Sequence, residues 1–198
     1  METDLKWIVV RIDGKIAAIS TDYRLLAAIS ARLAKEASAA YGTVTATSAT
    51  FEEIWKLRKE TAWEDLMLYG TDFQKKVWRK LWELTHTDGD SSAARLISYS
   101  DFAELCQNRA GVRAVAHAIG LNPVSVVIPC HLVIPKESID KMRSINRKAE
   151  ATIFKGDDLC LSSILKNEAI DFGNYSLGTG LKRKLIMLEL TGLLPDAS

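Results

Sequence analysis

Along residues 1–66 the spacing of apolar positions changes twice. Leu5 to Ile12 and Lys15 to Ser20 are rich in Ile and Val and flank Asp13-Gly14, a dipeptide that favours the tight type I′ turn. A β-hairpin is predicted there. From Tyr23 to Glu36 the period becomes helical, with Leu25, Leu26, Ile29 and Leu33 on one face. Thr43 to Thr47 alternates as a short strand, and Thr50 with Glu53 has the capping-box spacing for a helix through Lys59. Residues 1–66 read as a small α/β domain.

The pattern beyond Tyr69-Gly70 is mostly helical. Thr71 and Gln74 form a second capping box, and Phe73, Val77 and Leu81 share a face with Trp78 and Trp82 beside them. Residues 85–97, rich in Thr, Asp, Ser and Gly, read as a loop. Ser98 and Asp101 cap a short helix from Tyr99 to about Cys106, and a further helix runs from about Gly111 to Ile119, with Gly120 as its stop. Two short helices joined by a tight turn are the layout of a helix-turn-helix. Val124 to Ile128 is a short β-branched run ending in Pro129-Cys130-His131. Residues 136–172 are charged and irregular, with only Ile139, Met142 and Ile145 hinting at a helix. A closing helix is expected from about Thr179 to Leu190, stopped by Gly192. The expected fold class is therefore mixed α/β (α+β): a small N-terminal α/β domain over 1–66, then a mostly helical domain over 67–198, with an insertion within 136–172.

Composition narrows the function classes. The formal net charge is +1, so nucleic-acid binding would need a local patch or an inserted element, not a global field. No apolar run reaches the roughly 18 residues that span a bilayer, and the acidic start Met1-Glu2-Thr3-Asp4 lacks the layout of a signal peptide. The three cysteines, Cys106, Cys130 and Cys160, are an odd number with no Cys-x-x-Cys pair, which argues against a disulfide framework or a zinc site. The expectation is a cytoplasmic protein with no metal or cofactor and a thiol kept reduced.

Cys130 stands between Pro129 and His131. A thiolate attacks where a thiol barely does, so a reactive cysteine needs a neighbour that takes its proton. His131 is the candidate, with an acid elsewhere to orient the imidazole. By itself the pair reads as a buried structural cysteine.

The surrounding motifs change that reading. Ile128-Pro129-Cys130-His131 followed by Val133-Ile134 resembles the active-site signature of the O6-alkylguanine-DNA alkyltransferases. Gly70-Thr71-x-Phe73-Gln74-x-x-Val77-Trp78-x-x-Leu81 is similar to the opening helix of that family's catalytic domain. Ser98-Tyr99-x-x-Phe102-Ala103 resembles its first helix-turn-helix element. Arg113-Ala114-Val115 with Asn122-Pro123 resembles its recognition helix and asparagine hinge, and Gly173-Asn174-Tyr175-Ser176 with Lys182, Leu185 and Glu189 resembles its closing segment. The motifs fall in family order across most of residues 67–192.

The resemblance implies single-turnover DNA repair, in which the alkyl group of O6-alkylguanine in double-stranded DNA moves onto Cys130. It implies His131 as a base acting through a bound water, Glu189 as the acid that orients it, and Asn122 as the hinge. Tyr99 would donate to the guanine ring and crowd the phosphate. Arg113, next to Ala114 on the recognition helix, would fill the gap in the base stack, and Tyr175 and Ser176 would wall the pocket. The carbonyls of Cys130 and Val133 would accept from the guanine amine. Flipping suits chemistry on a base otherwise held in the stack, and minor-groove binding, with its sparse sequence code, suits repair anywhere. A monomer is expected.

This chain departs from the family in places. Leu132 stands where the family has arginine, Ala116 where it has glycine, and Gln107 where it has a small residue. The stretch from Cys130 to Tyr175 is longer by about thirty residues, and a long structureless stretch is either mobile or functional. No cysteine lies in 1–66, so a cysteine-containing zinc site found in some relatives is absent. Cys106, Cys160, His86 and His117 fall outside the pattern and read as structural or surface residues. Singly, each residue has another reading: Tyr99 as a packing residue, Arg113 as a solvated charge, His131 as a satisfied core histidine, Glu189 as a partner of Lys182 or Arg183. Three other functions compete with this one: an alkyltransferase-like damage sensor, which would lack the acceptor cysteine; a helix-turn-helix regulator, which would not need Pro129-Cys130-His131 in register with Tyr175 and Glu189; and a cysteine hydrolase, whose histidine is normally distant in sequence.

Overall fold

The computed structural model describes residues 6–23, 27, 43–86, 96–151, 167 and 170–191, with the backbone alone for 146–151 and 191. By contact, the chain groups into two compact units. One takes Met1–Thr87 with His117–Cys130 and Ala197–Ser198; the other takes Asp88–Ala116 and His131–Asp196.

In the first unit, β1 (Trp7–Ile12) and β2 (Lys15–Ser20) form the expected antiparallel hairpin. Asp13 and Gly14 have φ of 50° and 79°, the two positive values a type I′ turn requires. The edge strand β3 (Val44–Ala49) pairs with β1, giving the order β2-β1-β3. Helix α1 (Phe51–Glu60) starts at the reciprocal Thr50–Glu53 capping box. The second box is also closed: Thr71 N donates to Gln74 Oε1 at 2.9 Å and Gln74 N to Thr71 Oγ1 at 3.2 Å, opening α2 (Asp72–His86). That helix buries Val77, Trp78 and Leu81. A Cβ on Gly70 would lie 2.7 Å from the Trp78 ring, so the motif's glycine lets the chain cross the indole.

In the second unit, β4 (Ile97–Ser98) pairs in parallel with β5 (Val133–Ile134). It leads into α3 (Tyr99–Leu105), capped by Ser98 Oγ accepting from Asp101 N. The turn after α3 is a Schellman motif. Asn108 N donates to Ala103 O at 2.9 Å and Gln107 N to Glu104 O at 2.8 Å, with Gln107 at φ 56° where glycine is usual. A 3-10 turn, Arg109–Gly111, feeds α4 (Val112–Gly120), completing the helix-turn-helix layout.

The reading of 136–172 as irregular is corrected for its first sixteen residues, while 152–166 and 168–169 lie outside the described residues. Lys136–Ala151 is a helix, α5. Its Ile139, Met142 and Ile145 pack on Ile134, Ile170, Phe172 and Ile186, together with residues of α6 (Thr179–Thr191). The helix foreseen over Tyr23–Glu36, most of the 85–97 loop and Cys160 lie outside the described residues, although Thr85 and His86 belong to α2. No described helix is long and apolar enough to cross a membrane.

Candidate active site

The segment 122–130 of the first unit is buried throughout and anchored to the hairpin. Ile19 N donates to Pro123 O at 2.9 Å, and Ser125 N donates to Ile19 O at 3.1 Å. From α2, Trp78 Nε1 donates to Ala118 O at 2.8 Å. The N-terminal sheet thus fixes the loop that carries the cysteine. The apolar run of this loop forms no strand. Val126 has φ 73°, a strained conformation for a β-branched residue, and Ile128 N closes the turn onto Val124 O at 3.0 Å.

Asn122 organises this turn. Its Oδ1 accepts from Val124 N at 3.0 Å. Its Nδ2 donates to Ile128 O at 2.9 Å and to Cys130 Sγ at 3.1 Å. One carboxamide supplies both an acceptor and two donors, a combination no carboxylate offers. Cys130 is 6% exposed, and its sulfur accepts from the amide hydrogen aimed at it.

Cys130–Leu132 form a single 3-10 turn. In the second unit, His131 Nε2 lies 2.8 Å from Glu189 Oε1, with the two side chains 0% and 4% exposed. A carboxylate only accepts, so the proton sits on Nε2 and leaves Nδ1 as the basic nitrogen. Nearby on the same helix, Lys182 Nζ donates to Val133 O at 2.9 Å, and Arg183 donates to Asn167 O and Ile170 O.

The remaining candidates occupy different settings. Tyr99 is half-buried at the start of α3, with Lys182 Nζ 5.9 Å from its ring centroid. Arg113 and Ala114 are exposed on α4. Val133 is buried on β5, and its carbonyl, expected to accept from a base, already accepts from Lys182. Tyr175 is half-buried and Ser176 exposed, in the turn that Gly178 N closes onto Tyr175 O at 3.0 Å. Lys182, which is 1% exposed, was missed as a site residue. The available signal was its place with Leu185, Ile186 and Glu189 on one helical face. Among the described residues no cluster of three or more His, Cys, Asp or Glu is placed to hold a metal.

Known proteins share parts of this sequence and fold. Residues 72–152 match the family model described as 6-O-methylguanine DNA methyltransferase, DNA binding domain. The chain is 42% identical over 74 residues, 37% of its length, to a probable methylated-DNA–protein-cysteine methyltransferase of Acanthamoeba polyphaga mimivirus, covering 45% of that relative. It is 45% identical over 67 residues, 34% of each chain, to the inducible methylated-DNA–protein-cysteine methyltransferase of Bacillus subtilis. These matches span less than half of the relatives' own length. In fold, the chain resembles the O6-methylguanine-DNA methyltransferase of Pyrococcus kodakaraensis strain KOD1 with a TM-score of 0.52 at 22% identity, over 93% of this chain and 91% of that one. The stretch that resembles the 6-O-methylguanine DNA methyltransferase, DNA binding domain, residues 72–152, takes in α2, the helix-turn-helix layout and the Pro129-Cys130-His131 turn.

Proposed function

We propose that this protein repairs DNA by moving the alkyl group of an O6-alkylguanine onto its own Cys130, once per molecule. The observation that carries this reading is the Asn122 Nδ2–Cys130 Sγ hydrogen bond of 3.1 Å inside the matched domain. It prepares the thiol of the family's signature for nucleophilic attack. The relatives are named methylated-DNA–protein-cysteine methyltransferases, and the same reaction is assigned here.

In the proposed reaction His131 Nδ1, acting through a bound water, takes the thiol proton, and the Glu189 carboxylate stabilises the resulting imidazolium. The Cys130 thiolate attacks the alkyl carbon bound to O6. The C–S bond forms as the C–O bond breaks, the electron pair stays on the guanine, whose ring accepts a hydrogen bond from the Tyr99 hydroxyl, and the proton taken up by His131 passes through water to the guanine. The product is a neutral thioether with no easy route back, so the protein is consumed.

The substrate is double-stranded DNA approached from the minor groove. Arg113, exposed beside Ala114 on α4, takes the place of the extruded base. Tyr175 and Ser176 wall the pocket, and the Cys130 and Val133 carbonyls take the guanine amine, Val133 with its second lone pair. We assign 1–66 as a separate N-terminal domain, 67–198 as the catalytic one, and the working form as a cytoplasmic monomer. The test is Cys130→Ser. It should still bind a duplex containing O6-methylguanine but leave the methyl group in the DNA; methyl removal by this variant would refute the assignment.

A further inference from the structure

We propose that the outward face of α5 is a second contact for the DNA backbone, in addition to the helix-turn-helix; this rests on DNA being the partner. Two observations fix which face is outward. Ile139, Met142 and Ile145 are seated on Ile134, Ile170, Phe172 and Ile186. At the helix start, Ser138 Oγ donates to the carbonyl of Asp171. The opposite side leaves Lys136, Glu137, Asp140, Lys141 and Arg143 exposed.

Charge decides the occupant. The whole chain has a formal net charge of +1. Lys136–Ala151 alone holds five cations, Lys136, Lys141, Arg143, Arg147 and Lys148, against three anions, Glu137, Asp140 and Glu150. This one helix therefore carries more positive charge than the protein's total. The Arg143–Asp140 pair is 3.8 Å long, with side chains 72% and 57% exposed, and an exposed pair of this kind yields readily to a phosphate. The described outward face has no apolar residue to enter a lipid surface, because the apolar stripe is spent on the core.

Placement agrees. Helix α5 packs against β4, whose last residue, Ser98, directly precedes Tyr99 and caps the first helix of the helix-turn-helix. A basic helix beside that element would lengthen its phosphate footprint.

The experiment measures binding of the full chain to an undamaged duplex across a salt series. The variants are K136Q/K141Q/R143Q and the charge-keeping K136R/K141R/R143K, each matched to the parent by thermal melting. Each phosphate contact contributes about 0.9 to the slope of log affinity against log salt. The neutralised variant should therefore lose roughly 2 to 3 in slope, and the charge-keeping variant almost nothing. Methyl transfer from free O6-methylguanine base should be the same in all three. An unchanged slope in the neutralised variant overturns the proposal. So does loss of free-base transfer in that variant, which would put these residues in the pocket. A parent that binds duplex but never becomes methylated sinks the repair reading and leaves the slope test of α5 intact.

Discussion

Asn122 holds Cys130 from eight residues upstream, its Nδ2 lying 3.1 Å from the sulfur and 2.9 Å from Ile128 O. Both amide hydrogens are committed, one to the loop's shape and one to the nucleophile. Asn122→Asp is nearly isosteric and removes both donors while setting a negative charge against the thiolate. A hydrogen bond to a charged group contributes roughly 1.5–3 kcal/mol, so methyl transfer should slow about 10- to 100-fold. Single-turnover kinetics on a methylated oligonucleotide read this directly. An aspartate variant at the parent rate would show that the hydrogen bond plays no part in activation.

Glu189 acts on His131 in the second unit, 2.8 Å from Nε2. Glu189→Gln keeps an acceptor but loses the charge that stabilises an imidazolium. Positioned acid–base catalysis contributes about 10²–10⁴-fold, and the glutamine variant should fall at the lower end, about 10²-fold slower. Glu189→Ala also leaves a buried nitrogen without its partner, and should be the less stable protein of the two. Equal rates for parent and Gln variant would make the pair purely architectural.

Arg113 is exposed on α4 and is assigned to base extrusion. Arg113→Ala should slow repair of duplex DNA far more than reaction with free O6-methylguanine base, which needs no flipping. Equal slowing on both substrates would instead make the arginine a support for the pocket.

Much of this architecture was legible because its signals are local. Asp13-Gly14 specifies its own turn, and the Thr50–Glu53 and Thr71–Gln74 boxes specify their helix starts. The elements that escaped notice depend on distant partners. Helix α5 has only Ile139, Met142 and Ile145 as an apolar stripe, and they become a helix face because Ile170, Phe172 and Ile186 receive them. Lys182 enters the sequence reading only as a motif residue and a possible partner of Glu189, yet it is buried with its Nζ on Val133 O, 49 residues away in sequence. The Asn122–Cys130 bond needs the positive φ of Val126, which nothing about a valine announces.

Helix α5 is packed on the core, so removing part of it carries a cost. Removing 140–168 would strip Met142 and Ile145 from the core that contains Phe172 and Ile186. Truncating a core side chain costs about 2–5 kcal/mol when fully buried, so the half-buried Met142→Ala should lose roughly 1–2 kcal/mol. Its methyl transfer at low temperature should remain at the parent rate. Denaturant unfolding checks the first expectation, and an unchanged midpoint would mean that α5 is only loosely attached.

Gln107 offers a test in the other direction. It occupies the left-handed position of the Schellman turn at φ 56°, a conformation that costs a residue with a Cβ about 1–2 kcal/mol. Gln107→Gly should raise stability by about 0.5–1 kcal/mol after the glycine's greater unfolded-state entropy is counted. A lower melting temperature would mean that the glutamine side chain holds the turn.

The central claim is that Cys130 is the one acceptor, and the intact mass of the protein tests it most directly. After incubation with excess duplex containing O6-methylguanine, the parent should gain one methyl group per chain and no more, with peptide fragmentation placing it on Cys130. The Cys130→Ser protein, treated identically, should keep its original mass. A methyl group on Cys106 or Cys160, more than one per chain, or none on a parent that binds the duplex would contradict the account.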